Sequence, residues 1–343
     1  MDSPELSILV AESDRFSPRA EAILGNLGRL QMSDLDRAGL LREVGHAQVL
    51  WVRLRNRIDE ELIALAPKLK FIVSATTGLN HIDLEHATRR GIRVLSLRGE
   101  VDFLRQVRAT AEHTLALTLA LLRNIPQASE HVRAGGWNRD LFWGHELQGK
   151  TVGIVGYGRL GRMVGDYLST LGARLLAADP AVGSEQTAPG VDLMPLEKLL
   201  PEADVVTLHV NLHQATTGFF GHRQFAGMKT GAWFVNTARG ELVDEQALLD
   251  AIDNRHLAGA AVDVLDHESS EGMESNPLVR YARSHSNLLI TPHIGGCTFE
   301  SADKTEVFLA EKLCEQLRTD RRTAPPSPPQ ELPIKVTPSR QWW

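Results

Sequence analysis

Cysteine is nearly missing from this chain: among 343 residues there are two, Cys297 and Cys314. Two isolated thiols make neither the disulfide framework of a small secreted domain nor the paired spacing of a metal site. Both are read as core or surface thiols, and no metal is expected. An excess of positive charge is missing as well. The formal net charge of −6 offers no general attraction to nucleic acid or an anionic membrane, so neither is expected as a partner. Long apolar runs are also absent: Thr114 to Leu122 is too short and too interrupted to span a bilayer. The opening Met1-Asp2-Ser3-Pro4-Glu5 lacks the basic and then apolar order of a signal peptide, and a cytoplasmic location is the expectation. There is no internal repeat. What is left, 43% hydrophobic and 23% charged residues over 343, suits two ordinary globular domains with substantial cores.

The most informative feature that is present lies mid-chain. An apolar strand, Val152 to Val155, runs into Gly156-Tyr157-Gly158-Arg159-Leu160-Gly161. A helical pattern follows through Met163, Val164, Tyr167, Leu168 and Leu171, then a second strand, Leu175 to Ala178, ending in Asp179. Gly156 allows the tight turn, Gly158 lets the backbone approach a pyrophosphate, and Gly161 lets helix pack on strand. The free N–H groups of the helix N-terminus attract the phosphates. Asp179 would accept from the ribose hydroxyls and repel a 2′-phosphate, which favours NAD over NADP. Strand, glycines, helix and acid all agree on a dinucleotide site.

Around it the chain alternates strand and helix signals, the pattern of an α/β protein with doubly wound parallel sheets. Ahead of the fingerprint, strands are expected at Leu6–Val10, Ala47–Leu54, Phe71–Ser74 and Arg93–Ser96, with helices at Pro18–Leu27, Ser33–Leu41, Glu60–Leu65 and Asp83–Arg90. Ala109–Leu122 reads as a helix able to bridge two domains. After the fingerprint come strands at Val205–His209, Trp233–Asn236, Ala260–Val264 and Leu288–Thr291, then a helix over Phe299–Leu317. The expected division is two Rossmann-like domains: a discontinuous substrate domain of residues 1–108 with 293–320, and a nucleotide domain of 109–292. Past Asp320, Ala324-Pro325-Pro326-Ser327-Pro328-Pro329 can form neither helix nor sheet ladder, so 321–343 reads as a disordered tail. Its terminal Trp342-Trp343 is either inert or a docking handle.

Three strand ends carry reactive side chains, where open α/β sheets hold ligands. In Val235-Asn236-Thr237-Ala238-Arg239-Gly240-Glu241, Arg239 could grip a carboxylate bidentately and polarise a carbonyl, or simply form a loop salt bridge. In Asp263-Val264-Leu265-Asp266-His267-Glu268 at least one acid should face a cleft. In Thr291-Pro292-His293-Ile294-Gly295-Gly296, a His held between Pro and Gly-Gly is either a structural group or, with a carboxylate partner, an acid/base.

These segments together resemble the D-isomer-specific 2-hydroxyacid dehydrogenase family, which includes phosphoglycerate dehydrogenase and glyoxylate/hydroxypyruvate reductase. The resemblance runs from about Arg53 to Leu317. It rests on Thr77-Gly78-Leu79-Asn80-His81-Ile82-Asp83 with Arg90-Gly91-Ile92, on the fingerprint with Asp179, on Asn236 to Gly240, and on Thr291 to Gly296. It implies a catalytic trio of Arg239, Glu268 and His293, with Asp263 contacting the nicotinamide carboxamide and Asp266 the weaker candidate for the His partner. It implies NAD lined by Gly156, Tyr157, Gly158, Arg159, Leu160, Gly161, Asp179, His209, Thr237, Ala238, Asp263 and His293. Substrate would be held by Arg55, Asn56, Thr77, Gly78 and Arg239. The implied reaction is hydride transfer between the nicotinamide and C2 of a small 2-hydroxy or 2-keto acid, in a homodimer.

The sequence departs from the family at Leu97 to Gln106, about five residues longer than usual and more charged, which either shapes substrate choice or is an inert loop. Asn211-Leu212 replaces a frequent Pro-Leu. Arg53, Arg55 and Arg57 alternate at a strand end, putting three guanidinium groups on one side; a phosphorylated or multiply anionic substrate would suit them, as would plain solvation. The C-terminal regulatory domain of some relatives is not expected, nor is feedback inhibition through it. Two other readings keep the scaffold: a phosphite or formate dehydrogenase, and an NADH-sensing corepressor-like protein. Arg239, Glu268 and His293 together speak against a pure binding module.

Overall fold

The computed structural model describes residues 6–268 and 272–323. Two compact units are present, one ending at Leu97 and resuming at Glu306, the other running from Arg98 to Thr305. These divisions fall some ten residues from the expected ones at 108 and 293.

The first unit is a five-stranded, wholly parallel sheet in the order β2-β1-β3-β4-β5. Its elements are β1 (Leu6–Val10), α1 (Pro18–Gly25), β2 (Gly28–Met32), α2 (Arg37–Glu43), β3 (Val49–Val52), α3 (Glu60–Ala64), β4 (Phe71–Ser74), α4 (Leu84–Arg89) and β5 (Arg93–Ser96). Every residue of β3 and β4 is buried, as expected of strands covered on both faces. The helices start where short polar side chains accept an orphan N–H. Ser17 accepts from Ala20 ahead of Pro18, Asp36 from Gly39, Asp59 from Leu62 and Asp83 from His86. β2 is a strand beyond the four expected ahead of the fingerprint. Its residues Gly-Arg-Leu-Gln-Met are partly or wholly exposed at the sheet edge, so it has no apolar run to read.

The second unit opens with α5 (Val101–Leu104), α6 (Ala109–Leu122) and α7 (Ile125–Arg133). A seven-stranded parallel sheet follows, with β6 (Thr151–Val155), α8 (Arg159–Thr170), β7 (Arg174–Ala178), β8 (Val191–Leu193), α9 (Leu196–Leu199), β9 (Val205–Leu208), α10 (His222–Gly227), β10 (Trp233–Asn236), α11 (Glu245–Asp253), β11 (Gly259–Val262), α12 (Pro277–Ala282) and β12 (Leu288–Ile290). α13 (Phe299–Thr323) begins in this unit and from Glu306 belongs to the first; it extends past Asp320, and residues 324–343, with the Pro-rich segment and the two tryptophans, lie outside the described residues. Ala109–Leu122, expected to bridge domains, belongs to the second unit, where α6 packs on α8, β10 and β11.

The strand order β12-β11-β10-β9-β6-β7-β8 reverses direction between β6 and β9. Beyond the carboxyl ends of the strands at such a switch is the usual ligand position in sheets of this kind. No helix among the described residues is long and apolar enough to cross a membrane.

Candidate active site

Because all strands of the second sheet run parallel, the residues after β6, β9, β10, β11 and β12 collect at one edge. After β6, Gly156 has φ +91°, and a Cβ there would lie 2.7 Å from the His209 carbonyl group. A Cβ on Gly161 would lie 2.2 Å from the Gly156 carbonyl oxygen, while one on Gly158 would meet nothing. Only glycine lets this turn close and still leave room over Gly158. Gly158 caps α8 without a side-chain hydrogen bond, so the first N–H groups of the helix remain for an anion. Asp179 Oδ2 accepts the Tyr157 N–H at 2.9 Å and Oδ1 accepts the Ala181 N–H at 2.9 Å. It is partly exposed, with lone pairs to spare for ribose hydroxyls. These residues fit a dinucleotide.

The other expected cofactor residues are engaged in different ways. The Tyr157 ring is buried under Arg162, whose guanidinium lies 4.7 Å from its centroid, and burial pushes its phenol up. Leu160 packs against the core around β6. Arg159 reaches the carbonyls of Leu104 and Val107 at 3.1 and 3.4 Å, tying the fingerprint to the enlarged segment after Leu97. Burial lowers the Arg159 guanidinium. His209 bonds Thr207 Oγ1 through Nε2 at 3.1 Å, while its Nδ1 is buried with no partner among the described residues. Burial pushes this imidazole down to about 4.

After β10, Asn236 folds the turn that carries the arginine. Its Oδ1 accepts the Ala238 N–H at 3.0 Å and its Nδ2 donates to the Arg239 carbonyl at 2.9 Å. Thr237 and Ala238 are buried in this turn. Gly240 makes the next step possible: a Cβ there would sit 1.9 Å from the Leu265 carbonyl carbon. The Arg239 loop therefore packs backbone to backbone on the segment leading to Glu268. The Arg239 guanidinium donates to the Ala238 carbonyl at 2.6 Å and forms no ion pair among the described residues. Burial lowers its pKa, opposed by the nearby charges of Glu241 and Glu268.

After β11, Asp263 is 1% exposed. Its Oδ1 accepts from His113 Nε2 at 3.1 Å, Thr291 Oγ1 at 2.6 Å and the Ile294 N–H at 2.9 Å; Oδ2 accepts the Gly295 N–H at 2.7 Å. Burial alone would raise this carboxyl, but those four donors hold it below its usual range. Expected as a nicotinamide contact, Asp263 here clasps both sides of His293.

His293 follows β12 at φ +53°, its N–H bonded to the Asp263 carbonyl at 2.8 Å. Its Nδ1 lies 2.6 Å from Glu268 Oε2, and Glu268 Oε1 accepts the Leu265 N–H at 3.1 Å. A contact that short to a carboxylate requires the proton on Nδ1. Nε2 then makes no hydrogen bond among the described residues and is the nitrogen able to exchange a proton with a ligand. Asp266 takes no part in the pair.

In the first unit, Thr77 and Gly78 lie in the turn after β4, braced by Thr76 Oγ1 donating to the Gly78 carbonyl at 2.7 Å. Among the described residues neither main-chain N–H has an acceptor. The three arginines do not alternate as expected, because β3 stops at Val52 and they stand in a loop. Arg53 is absorbed by Glu306 and by the Asp14 carbonyl at 2.7 Å. Arg55 pairs with Asp34 at 2.7 Å, both side chains about half exposed. Asn56 is buried, its amide donating to Glu12 and to the Leu35 carbonyl, so its side chain shapes the loop instead of facing a ligand.

A model of the D-isomer specific 2-hydroxyacid dehydrogenase, NAD binding domain, matches residues 115–295. The chain is 37% identical over 307 residues to D-3-phosphoglycerate dehydrogenase of Mycobacterium tuberculosis, covering 89% of this chain and 56% of that protein. It thus spans about half the length of the curated relatives it matches. It superposes on the TT0316 protein of Thermus thermophilus with TM-score 0.79 and 34% identity, covering 92% of this chain and 97% of the other. D-lactate dehydrogenase from Aquifex aeolicus complexed with NAD and lactic acid gives TM-score 0.79 at 25% identity, covering 92% and 96%.

Proposed function

The chain belongs to the D-isomer specific 2-hydroxyacid dehydrogenase family and takes NAD as its cofactor; from that premise, we propose that it interconverts a small, anionic D-2-hydroxy acid and the matching 2-keto acid. NAD when bound accepts or supplies the hydride at substrate C2. The 2.6 Å contact between His293 Nδ1 and Glu268, which leaves Nε2 for the substrate oxygen, is the observation that carries this reading. His293 gives a proton to the carbonyl in reduction and takes one from the hydroxyl in oxidation, while Glu268 stabilises the imidazolium. Arg239, in no direct ion pair among the described residues, orients the substrate carboxylate and offsets charge developing on oxygen. In the first unit, the N–H groups of Thr77 and Gly78 are suited to a carboxylate, and Arg55 to a further anionic group such as a phosphate.

A panel of 2-keto acids, plain and phosphorylated, followed by NADH absorbance tests this, with phosphite and formate as further arms. Turnover of at least one keto acid is expected. Turnover of phosphite or formate alone would move the reading to those donors. Tight NADH binding without any turnover would sink the enzyme reading.

A homodimer belongs to the same proposal. All nine residues of α7 are at least partly accessible, and Trp137 and Trp143 are 90% and 81% exposed, an apolar arm suited to a second copy. Replacing both tryptophans by Ser should yield a monomer in sedimentation; an unchanged mass would place the interface elsewhere.

A further inference from the structure

Helix α6 carries two adjacent polar residues, His113 and Thr114, each of which bonds a side chain more than a hundred residues away. His113 Nε2 is 3.1 Å from Asp263 Oδ1 and 3.1 Å from Thr291 Oγ1. The Thr291 hydroxyl has one proton and donates it to Asp263 Oδ1 at 2.6 Å, and a carboxylate only accepts. The proton between ring and pair must therefore sit on Nε2, shared by both oxygens. Thr114 is arranged in the opposite sense. Its own hydroxyl proton goes to the Thr110 carbonyl at 2.8 Å, so at 2.7 Å it accepts from Thr237.

Thr291 and Thr237 stand at equivalent places. Thr291 opens the turn that presents His293, and Thr237 opens the turn that presents Arg239. Thr114, Thr237 and Asp263 are no more than 5% exposed, so the Thr114–Thr237 bond does not compete with water, while His113 and Thr291 are half-buried. α6 itself is pinned by the burial of Ala111, Leu117, Thr118, Leu121 and Leu122.

We propose that His113 and Thr114 are positioning residues for the reaction: one step of α6 sets His293, through Asp263 and Thr291, against Arg239, held through Thr237. The proposal rests on the reading of His293 and Arg239 given above. Such a helix fixes the proton donor and the substrate-orienting cation as one body, where about 1 Å of misplacement is enough to cost about a hundredfold in rate.

The test compares His113→Ala, His113→Gln and Thr114→Val by steady-state kinetics, NADH titration and hydrogen exchange at the Ile294 and Gly295 amides. Gln can return an N–H donor near the place of Nε2. For His113→Ala we expect kcat to fall about tenfold to a hundredfold, with KM and NADH affinity within about threefold, faster exchange at both amides, and most of kcat recovered in His113→Gln. Thr114→Val should lower kcat without changing exchange at Ile294 and Gly295. A kcat for His113→Ala within twofold of wild type overturns the proposal. So does a loss shared equally by NADH binding and melting temperature and not rescued by Gln. Should His113→Ala fail to fold, His113→Asn takes its place, and equal turnover in Asn and Gln variants overturns the idea. If the wild-type protein turns over no keto acid, the functional reading fails by itself, and exchange at Ile294 and Gly295 alone decides whether His113 holds the loop.

Discussion

Glu12 and Asp263 do the same structural work in the two units. Glu12, 4% exposed, accepts the N–H groups of Arg53, Arg55 and Asn56 at 3.1–3.2 Å, with the Asn56 amide at 3.3 Å. Asp263, 1% exposed, accepts the N–H groups of Ile294 and Gly295 with the side chains of His113 and Thr291. Each knits a strand-end loop by gathering donors onto a buried carboxylate. What the loops present differs. Around Glu12, Arg53 is taken up by Glu306 and Arg55 by Asp34. Around Asp263, His293 meets Glu268 through one nitrogen, and the other makes no hydrogen bond among the described residues. A buried acid makes a loop rigid; the allocation of partners around it decides which side chains the loop can still offer.

The largest effect should come from what the Asp263 loop presents. His293→Ala should cut turnover about a thousandfold or more while NADH affinity stays within about twofold by fluorescence titration. Lost NADH binding would make His293 a structural residue and dissolve the contrast.

Next come the two acids themselves. Asp263→Ala and Glu12→Ala each strand several buried donors, so each should cost about 3 kcal/mol in denaturant unfolding. The contrast lies in the kinetics: Asp263→Ala should depress kcat, whereas Glu12→Ala should raise KM and leave kcat within about threefold. Equal losses of kcat would erase the distinction. Because Asp263 is held below its ordinary value of 3.8, its contribution is present above that value and is lost as pH falls through the folded one.

His209 is the counter-case, a titratable group whose burial is answered at one ring nitrogen only, Nδ1 having no partner among the described residues. Its folded value of about 4 against 6.5 means the unfolded chain binds the extra proton between those limits. Stability should rise with pH across that window, by no more than about 3 kcal/mol, and level off above it. In His209→Gln the slope should shrink in unfolding curves taken from pH 4 to 7; an unchanged slope would assign it to other groups.

The smallest effect concerns Asp179, which also accepts main-chain N–H groups but stays partly exposed. Asp179→Ala should shift the ratio of kcat/KM for NADH over NADPH by about tenfold, roughly 1.4 kcal/mol. A ratio that does not move would mean Asp179 only braces the glycine turn.

Much of the second unit is legible along the chain. Val152–Val155, Val205–Leu208 and Trp233–Asn236 are short apolar runs because both faces of the sheet are covered, and the glycines stand where backbones nearly touch. The elements that escaped reading are those without a two-sided core: β2 and β8 at sheet edges, and α7, which buries none of its nine residues. At the candidate site, Arg239 and His293 stand out by their strand-end setting, and Glu268 only through the family resemblance. His113 was not, since its partners lie 150 and 178 residues away and nothing local distinguishes it from a helix-surface histidine.

From residue order alone follow the nucleotide turn, the acid at the end of β7, and three candidate groups after three strands, because each depends on chemistry within a few neighbouring residues. Which arginine after β3 is consumed, whether Asp263 meets a ligand or clasps the His293 loop, and which nitrogen of His293 is left over depend on how lone pairs and protons are shared among distant segments. A carboxylate has few lone pairs and a hydroxyl one proton. Only the packing of distant segments within each unit decides who receives them.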